Sequence, residues 1–382
     1  MEGIITQCFN RNLFILKIMG LYPTSENRSL HRIFGYIIYT LAMWPQFVLT
    51  LVRLSRDGIE DYSFISAAIA FVTIKLLYLL INCDDLATCI NYFDRKFERG
   101  WNVRQREIVD MYVTKCRSFC TVFFFGIALG LFGWVVTVRL QSYCTKFPLD
   151  IWSPSTCESQ PGLYFYLYAI CIIAVFYASI ACAAIDTVAS GLLYLVVGQI
   201  EVLKESLENL DINVKEEIIN RSENGSNIKN TYTYIVRCIL HYNDIRNFTQ
   251  TYENCFSGLL FTQFSEGIMT IGLCCLEIIK EKEINMNLII LFIYLGILLF
   301  QVYFFCYFGT LLVEEHNTVP RAIYMSKWYE CTKDCKKLLL VLMECSKKPL
   351  VLNAGKIVEL SLETFTAILK SSYSVICVLR SN

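Results

Sequence analysis

Polar residues recur along the last apolar stretch of this 382-residue chain. Glu359, Glu363, Thr366, Lys370 and Ser374 follow one another at spacings of four, three, four and four residues, which would place them in a narrow arc of one helical face. A charge inside a membrane helix costs a few kcal/mol unless it faces water or a partner group. The spacing therefore predicts contact with an aqueous pathway. The alternative is a stripe that is buried by pairing against other helices.

Beyond Lys370 the same face narrows to Tyr373, Ile376 and Cys377. Side chains of this kind suit a hydrophobic constriction that closes a pore by dewetting. The predicted pore residues are Glu359, Glu363, Thr366, Lys370, Tyr373 and Ile376.

A second pattern suggests a place for a small apolar molecule. Gly126 and Gly130 form a small-xxx-small ridge, and Trp134 follows one turn later on the same helical face. Close helix packing is the default explanation, whereas a glycine beneath an indole also makes a notch for a ligand. Residues of neighbouring apolar stretches can complete an aromatic cavity. The candidate ligand-binding residues are Lys75, Tyr78, Gly130, Trp134, Ile172, Phe176, Phe264 and Tyr294.

Two charged residues lie midway along apolar stretches. An unpaired charge at the depth of Lys75 or Glu266 would be costly, so the two are predicted to be partners. Otherwise Lys75 extends its ammonium group to the interface or meets water in a cavity.

Other chemistry finds no support in the sequence. The chain has no G-x-S-x-G elbow, H-E-x-x-H helix or phosphate-binding glycine loop, so no enzyme activity and no cofactor are expected. Its three histidines are isolated, so the sequence has no zinc-binding pattern. It also has no basic patch with interleaved aromatic residues, so nucleic-acid binding is not expected. Cys144 and Cys157 share a predicted outside loop, where a disulfide or two free thiols are equally compatible with the sequence.

The elements that must position these residues are membrane helices. The chain is 55% hydrophobic and only 18% charged, with a net charge of zero. Apolar stretches of roughly 20 residues, the length that crosses about 30 Å of hydrocarbon, predict seven spans. They are 33–52, 63–82, 119–138, 164–185, 256–279, 287–312 and 356–379.

Charge segregation predicts the orientation of the bundle. Of the 34 Lys and Arg residues, 24 lie in the segments on the side of the N-terminus. By the positive-inside rule the N-terminus is cytoplasmic and, after seven crossings, the C-terminus is extracellular. Four glycosylation sequons, at Asn27, Asn220, Asn224 and Asn247, oppose this topology because all four fall in segments assigned to the cytosol. No cleavable signal peptide is predicted in the first 32 residues.

The expected fold is an all-α membrane protein with helical cytosolic extensions. Apolar positions from Leu193 to Leu210 and from Tyr232 to Tyr252 keep helical spacing, and a polar mobile loop is predicted at 211–230 between them. The predicted organisation is a cytoplasmic N-terminal segment at 1–32, transmembrane helices 1 to 4 at 33–185, a cytoplasmic helical extension and loop at 186–255, transmembrane helices 5 and 6 at 256–312, a cytoplasmic loop and anchor at 313–355, and a seventh helix with an extracellular tail at 356–382.

Several local sequences resemble insect odorant receptors over nearly the whole chain. They are Gly20-Leu21-Tyr22-Pro23, the run QVYFFCYFGTLLVEE from Gln301 to Glu315, Trp328, and SLETFTAILKSSYSVICVL from Ser361 to Leu379. The resemblance implies an odorant-gated, nonselective cation channel in the plasma membrane of sensory neurons. It also implies a heterotetramer with a shared co-receptor, a pore lined by the seventh helix, and a small volatile ligand bound in the outer half of the bundle.

By position in that family, Gly130 and Trp134 resemble pocket residues and Ile376 the constriction. Arg380 stands at the outer mouth, where the co-receptor has an apolar residue. The chain lacks the co-receptor's long insertion in the second cytosolic loop, so it resembles a tuning subunit.

Two other classes of receptor are alternatives. A G-protein-coupled receptor would be expected to carry Asp/Glu-Arg-Tyr and Asn-Pro-x-x-Tyr motifs, and neither occurs here. A gustatory receptor of the same superfamily would end with Thr-Tyr and Gln-Phe, where this chain has Ser372-Tyr373 and Leu379-Arg380.

Overall fold

The fold is a bundle of long helices with one small hairpin near its C-terminal end. A computed structural model describes residues 3–23, 28–57, 64–97, 102–140, 161–214, 227–280 and 286–381. The helices are α1 (Ile4–Ile18), α2 (Arg28–Ala42), α3 (Trp44–Asp57), α4 (Phe64–Ile81), α5 (Cys83–Phe97), α6 (Val103–Leu140), α7 (Pro161–Glu208), α8 (Asn227–Lys280), α9 (Met286–Asn317), α10 (Val319–Met325), α11 (Lys333–Cys345) and α12 (Leu362–Ser381). A 3-10 turn spans Trp328–Glu330, and strands β1 (Asn353–Ala354) and β2 (Val358–Glu359) pair antiparallel.

Within the described residues, five stretches are long and apolar enough to cross a membrane, and a sixth is the bent pair of α4 and α5. The five are Leu30–Arg53, Val103–Val136, Pro161–Glu208, Asn230–Ile279 and Leu291–Met325. Six of the predicted spans therefore coincide with these stretches. The seventh corresponds to α12, whose 20 residues give about 30 Å of helix.

The first predicted span is interrupted in the structure, and the second ends at a sharp bend. The span predicted at 33–52 is broken at Met43, because Pro45 lacks an amide hydrogen and is tolerated only in the first turn of α3. After Asn82 the chain bends by 67° into α5. The apolar face of α5, which includes Leu86, Ile90 and Phe93, is buried.

The two longest helices extend far beyond a bilayer. α7 has 48 residues and α8 has 54, which correspond to about 72 and 81 Å at 1.5 Å per residue. Both helical extensions were predicted from their apolar spacing and are confirmed. The predicted loop between them is too long, because 210–214 is still helical and α8 begins at Asn227. Residues 215–226 lie outside the described part.

The seventh helix begins later than predicted. Residues 356–361 form the end of a hairpin, and α12 starts only at Leu362. Gly355 and Lys356 both have φ of 60°, a left-handed conformation that no helix can continue through. Glu359 therefore lies in β2, paired with Asn353, and is not part of the helical stripe.

The motif Gly20-Leu21-Tyr22-Pro23 closes α1 against the bundle. Gly20 has φ of +73°, and a Cβ there would overlap the backbone of Gly35 in α2. Its amide donates to Lys17 O, and the Leu21 amide donates to Leu16 O, which completes a C-terminal cap. The two glycines thus fix the close approach of α1 and α2.

Candidate functional site

A cavity of about 140 Å³ lies inside the helical bundle. Most of its walls are aliphatic or aromatic, and polar groups gather where Lys75, Asp186 and Gln301 meet. The residues that line it are Ala68, Ile69, Val72, Lys75, Phe123, Ile127, Val175, Ala178, Ser179, Cys182, Ala183, Asp186, Glu266, Tyr294, Ile297, Leu298 and Gln301. They come from α4, α6, α7, α8 and α9.

An ion pair forms the polar end of this cavity. Lys75 Nζ lies 2.6 Å from Asp186 Oδ1 and donates to Asp186 Oδ2 at 2.8 Å. Both side chains are almost fully buried, with exposed fractions of 1% and 2%. Lys75 Nζ also donates to Gln263 Oε1, and Gln301 Nε2 donates to Asp186 Oδ2 and, at 3.2 Å, to Gln263 Oε1. The pair and two amides form one connected network across α4, α7, α8 and α9.

The predicted pairing of Lys75 with Glu266 is wrong. Asp186 is the partner of Lys75, and Glu266 lines the cavity beside the pair. Sequence reasoning missed Asp186 because it lies one residue beyond the predicted end of the fourth span, at 185. α7 continues without interruption to Glu208, so Asp186 is still deep in the bundle. Gln263 and Gln301 were also missed, since an uncharged amide gives a weak signal in an apolar stretch.

The structure places some of the predicted ligand-binding residues at the cavity and others away from it. Lys75 and Tyr294 line the cavity, and Gly130 lies beside it, because a Cβ on Gly130 would meet Ile297 Cδ1 at 2.9 Å. Tyr78 instead packs on Gly258, and Phe264 is buried in the core.

Trp134, Ile172 and Phe176 are half-buried and are not among the described residues that line the cavity. Within the described residues, a Cβ on Gly126 would meet no atom within 4 Å, so the ridge packs closely at Gly130 and not at Gly126.

α12 carries the predicted polar stripe from its first turn onward. Glu363, Thr366, Lys370 and Ser374 are all exposed, while Ile368 on the other side is 4% exposed. The helix packs its apolar side on α8 and α9.

The residues predicted for the constriction follow on α12. Tyr373 is exposed by 67%. Ile376 is helical, and its side chain lies outside the described part, as does that of Arg380. Cys144 and Cys157 also lie outside the described residues.

The start of α12 is fixed to the C-terminal third of α9. Gly309 lets the chain approach closely, because a Cβ there would overlap the carbonyl oxygen of Leu360. One residue later, Thr310 Oγ1 accepts a hydrogen bond of 3.0 Å from the Leu362 amide, the first of α12. These two residues belong to the QVYFFCYFGTLLVEE run, so part of that run determines where the polar helix begins.

The hairpin before α12 is held by α8. The Glu253 carboxylate accepts from the Asn353 amide at 3.1 Å and from its side-chain nitrogen at 3.2 Å. Ser257 accepts through its backbone oxygen from the Gly355 amide at 2.8 Å, and through its hydroxyl from the Lys356 amide at 3.2 Å. α12 is therefore tied to α8 and α9, two of the helices that line the cavity.

These features define a helical membrane protein with an internal, mostly apolar cavity and a last helix that presents polar groups outward. A family model described as 7tm Odorant receptor matches residues 56–373. The chain belongs to this odorant receptor family.

Of two known relatives, one matches nearly the whole chain and the other matches less than half of it. Odorant receptor Or1 of Anopheles gambiae is 22% identical, over 97% of this chain and 94% of its own length. Odorant receptor 42b of Drosophila melanogaster is 25% identical over 41% of this chain and 39% of its own length. The solved structure of the olfactory receptor OR5 from Machilis hrabei in complex with eugenol superposes with a TM-score of 0.80, at 14% identity and over 97% of both chains. That likeness establishes the shared fold.

Proposed function

We propose that this odorant receptor is the odorant-binding, tuning subunit of a ligand-gated, nonselective cation channel. Its small volatile ligand occupies the cavity between α4, α6, α7, α8 and α9, and its pore is lined by α12. The channel is a heterotetramer with a co-receptor subunit in the plasma membrane of sensory neurons. The N-terminus is cytoplasmic and the C-terminus extracellular, in accordance with the positive-inside rule.

The observation that carries this proposal is the exposed polar stripe on α12. Glu363 and Lys370 belong to a helix with the length of a span, yet neither is covered by the described parts of its own chain. Such charges are costly in contact with lipid and are stabilised by water or by another subunit. One copy of α12 contributes only one wall of a pore. A pore that is enclosed on all sides therefore requires several subunits around a common axis.

Gating follows from differential binding. A ligand opens the channel only to the extent that it binds the open-state cavity more tightly than the closed one. α9 connects the cavity directly to α12. It carries Gln301 of the polar network and, further along, Gly309 and Thr310, which contact residues 360–362 at the start of α12. A change in the spacing of α9 and α8 would therefore be transmitted to the start of the pore helix.

The test is the current in cells that express this chain alone, the co-receptor alone, or both, measured against an odorant panel. Both subunits together should give odorant-dependent cation currents, and the chain alone should give none. Currents of equal size without the co-receptor would contradict the obligate partner. An absence of odorant-dependent current in cells that display both subunits at the surface would contradict the channel.

A further inference from the structure

Glu266 is the charged residue lining the described part of the cavity that takes no part in the ion-pair network. It is 6% exposed and lines the cavity from α8. Its backbone oxygen accepts from Thr270 Oγ1 at 2.6 Å. Its carboxylate makes no hydrogen bond or ion pair with any residue that the structure describes. A buried carboxyl group without a partner, at the wall of a cavity, indicates a ligand that supplies one.

The charges around the cavity show which kind of partner is needed. One cation, Lys75, stands against two carboxylates, Asp186 and Glu266. Lys75 is committed to Asp186 at 2.6 and 2.8 Å, and further to Gln263. One formal negative charge therefore remains uncompensated in a site of low polarity, where a buried charge is stable only when it is paired or neutralised.

We propose that the cavity binds a small alkylamine, whose ammonium group pairs with Glu266 and whose alkyl chain lies against the apolar walls. This inference rests on the proposed ligand-binding role of the cavity. When the amine enters as the free base, the Glu266 carboxyl O–H bond breaks and an N–H bond forms. The proton moves from oxygen to nitrogen, and an ammonium carboxylate pair results with no change in total charge.

The size of the cavity limits the length of the amine. An engineered apolar cavity of about 150 Å³ holds benzene, so a cavity of 140 Å³ suits about six non-hydrogen atoms. The apolar walls include Ile69, Val72, Val175 and Ile297, which offer apolar contact to a straight chain of that length. An alcohol of equal size could form a hydrogen bond with the carboxyl group but, unlike an amine, could not form an ion pair with it. A ketone would offer only an acceptor.

The experiment uses probes of one size and different chemistry. Pentylamine, 1-pentanol, 2-pentanone and hexane each have six non-hydrogen atoms. Their dissociation constants are measured at neutral pH on the full chain purified together with its co-receptor in lipid nanodiscs, from ligand-dependent shifts in melting temperature. We expect pentylamine to bind at least about tenfold more tightly than each of the other three probes, because hydrogen bonds between ionised groups are stronger than those between neutral groups.

Variants of Glu266 separate charge from fold. Glu266→Gln keeps the shape of the side chain and should weaken the binding of pentylamine about tenfold, while the dissociation constant of hexane should change by less than about threefold. Glu266→Asp retains the carboxylate and should keep the preference for the amine. Glu208→Gln removes a carboxylate from an exposed position at the end of α7 and should change nothing.

Two results would overturn the proposal. One is binding of pentylamine no tighter than that of 1-pentanol in the unaltered protein. The other is an equal loss for all four probes in the folded Glu266→Gln variant, which would make Glu266 a structural residue. Since binding is read without current, tight amine binding that opens no channel would contradict the proposed channel function and leave the ligand class intact.

Discussion

Lys75 and Asp186 are a buried pair whose members depend on each other. Each lies in an environment that would penalise its charge strongly if the other were removed. Gln263 and Gln301 supply further hydrogen bonds to the pair, so the network ties four helices together through polar groups. We therefore expect the network to specify which helices are neighbours more than it adds stability.

Removal of one partner should be more damaging than removal of both. Lys75→Met leaves Asp186 buried and unpaired, and we expect about 3–5 kcal/mol of destabilisation. The double variant Lys75→Met with Asp186→Leu should regain a large part of that loss. Melting temperatures of the purified variants measure both effects.

The control for this pair is Lys347→Met. Lys347 donates to Glu344 at 2.7 Å in an exposed ion pair, which is worth little, so its replacement should leave the melting temperature nearly unchanged. If Lys75→Met melted like the unaltered protein, the pair could not be a fixed part of the bundle.

α9 joins the cavity to α12, and its glycines differ in what surrounds them. A Cβ on Gly309 would overlap the backbone of Leu360, whereas a Cβ on Gly296 would meet no atom of the described part of the chain within 4 Å. The contact at Gly309 is with backbone, which cannot rotate away as a side chain can. The two positions therefore form a matched pair for a single substitution.

Gly309→Ala should displace the start of α12. Forced overlap of this kind costs about 1–3 kcal/mol, and we expect a lower melting temperature together with a reduced maximal current. Gly296→Ala should be neutral or stabilising by up to about 1 kcal/mol, because alanine favours a helix over glycine. Equal behaviour of the two variants would show that the contact with Leu360 does not position α12.

The sequence predicts the long helices better than it predicts where they begin and end. Apolar spacing located α7, α8 and their extensions, because a helix with one apolar face repeats with a fixed period. It placed the seventh helix six residues too early, since the period cannot reveal that Lys356 adopts a left-handed conformation. It also paired Lys75 with the wrong carboxylate, because the depth of Asp186 depends on how far α7 stays buried.

The whole molecule must have one orientation in the membrane for the proposed channel to work. An epitope placed after Asn382 should be stained in intact cells, and one placed before Met1 only after permeabilisation, because most Lys and Arg residues lie on the side of the N-terminus. Staining under these two conditions measures the orientation directly. A C-terminal epitope that is stained only in permeabilised cells would contradict the proposed topology.

Glycosylation tests the same orientation independently. Asn224 stands in a sequon of the segment assigned to the cytosol and should carry no glycan. Treatment with a glycosidase should therefore leave the electrophoretic mobility of the protein unchanged. Asn224→Gln provides the reference, and a difference in mobility between the two proteins would place this segment outside the cell.

The cavity and the polar stripe occupy different parts of the bundle, so ligand choice and ion selectivity should be separable. Ile127→Ala removes a cavity wall and should shift the preferred ligand by one or two methylenes, each worth about 0.8 kcal/mol when buried, without changing the reversal potential. Glu363→Gln removes an exposed carboxylate from α12 and should reduce the permeability of divalent relative to monovalent cations, with the order of ligands preserved. Glu344→Gln, an exposed carboxylate on α11, is the control that should alter neither. Each effect is measured in the same cells, by dose–response curves for a homologous ligand series and by reversal potentials in exchanged salts. If both variants changed both properties equally, the cavity and the stripe would belong to one site, and a bundle divided into a sensor and a pore would be the wrong description.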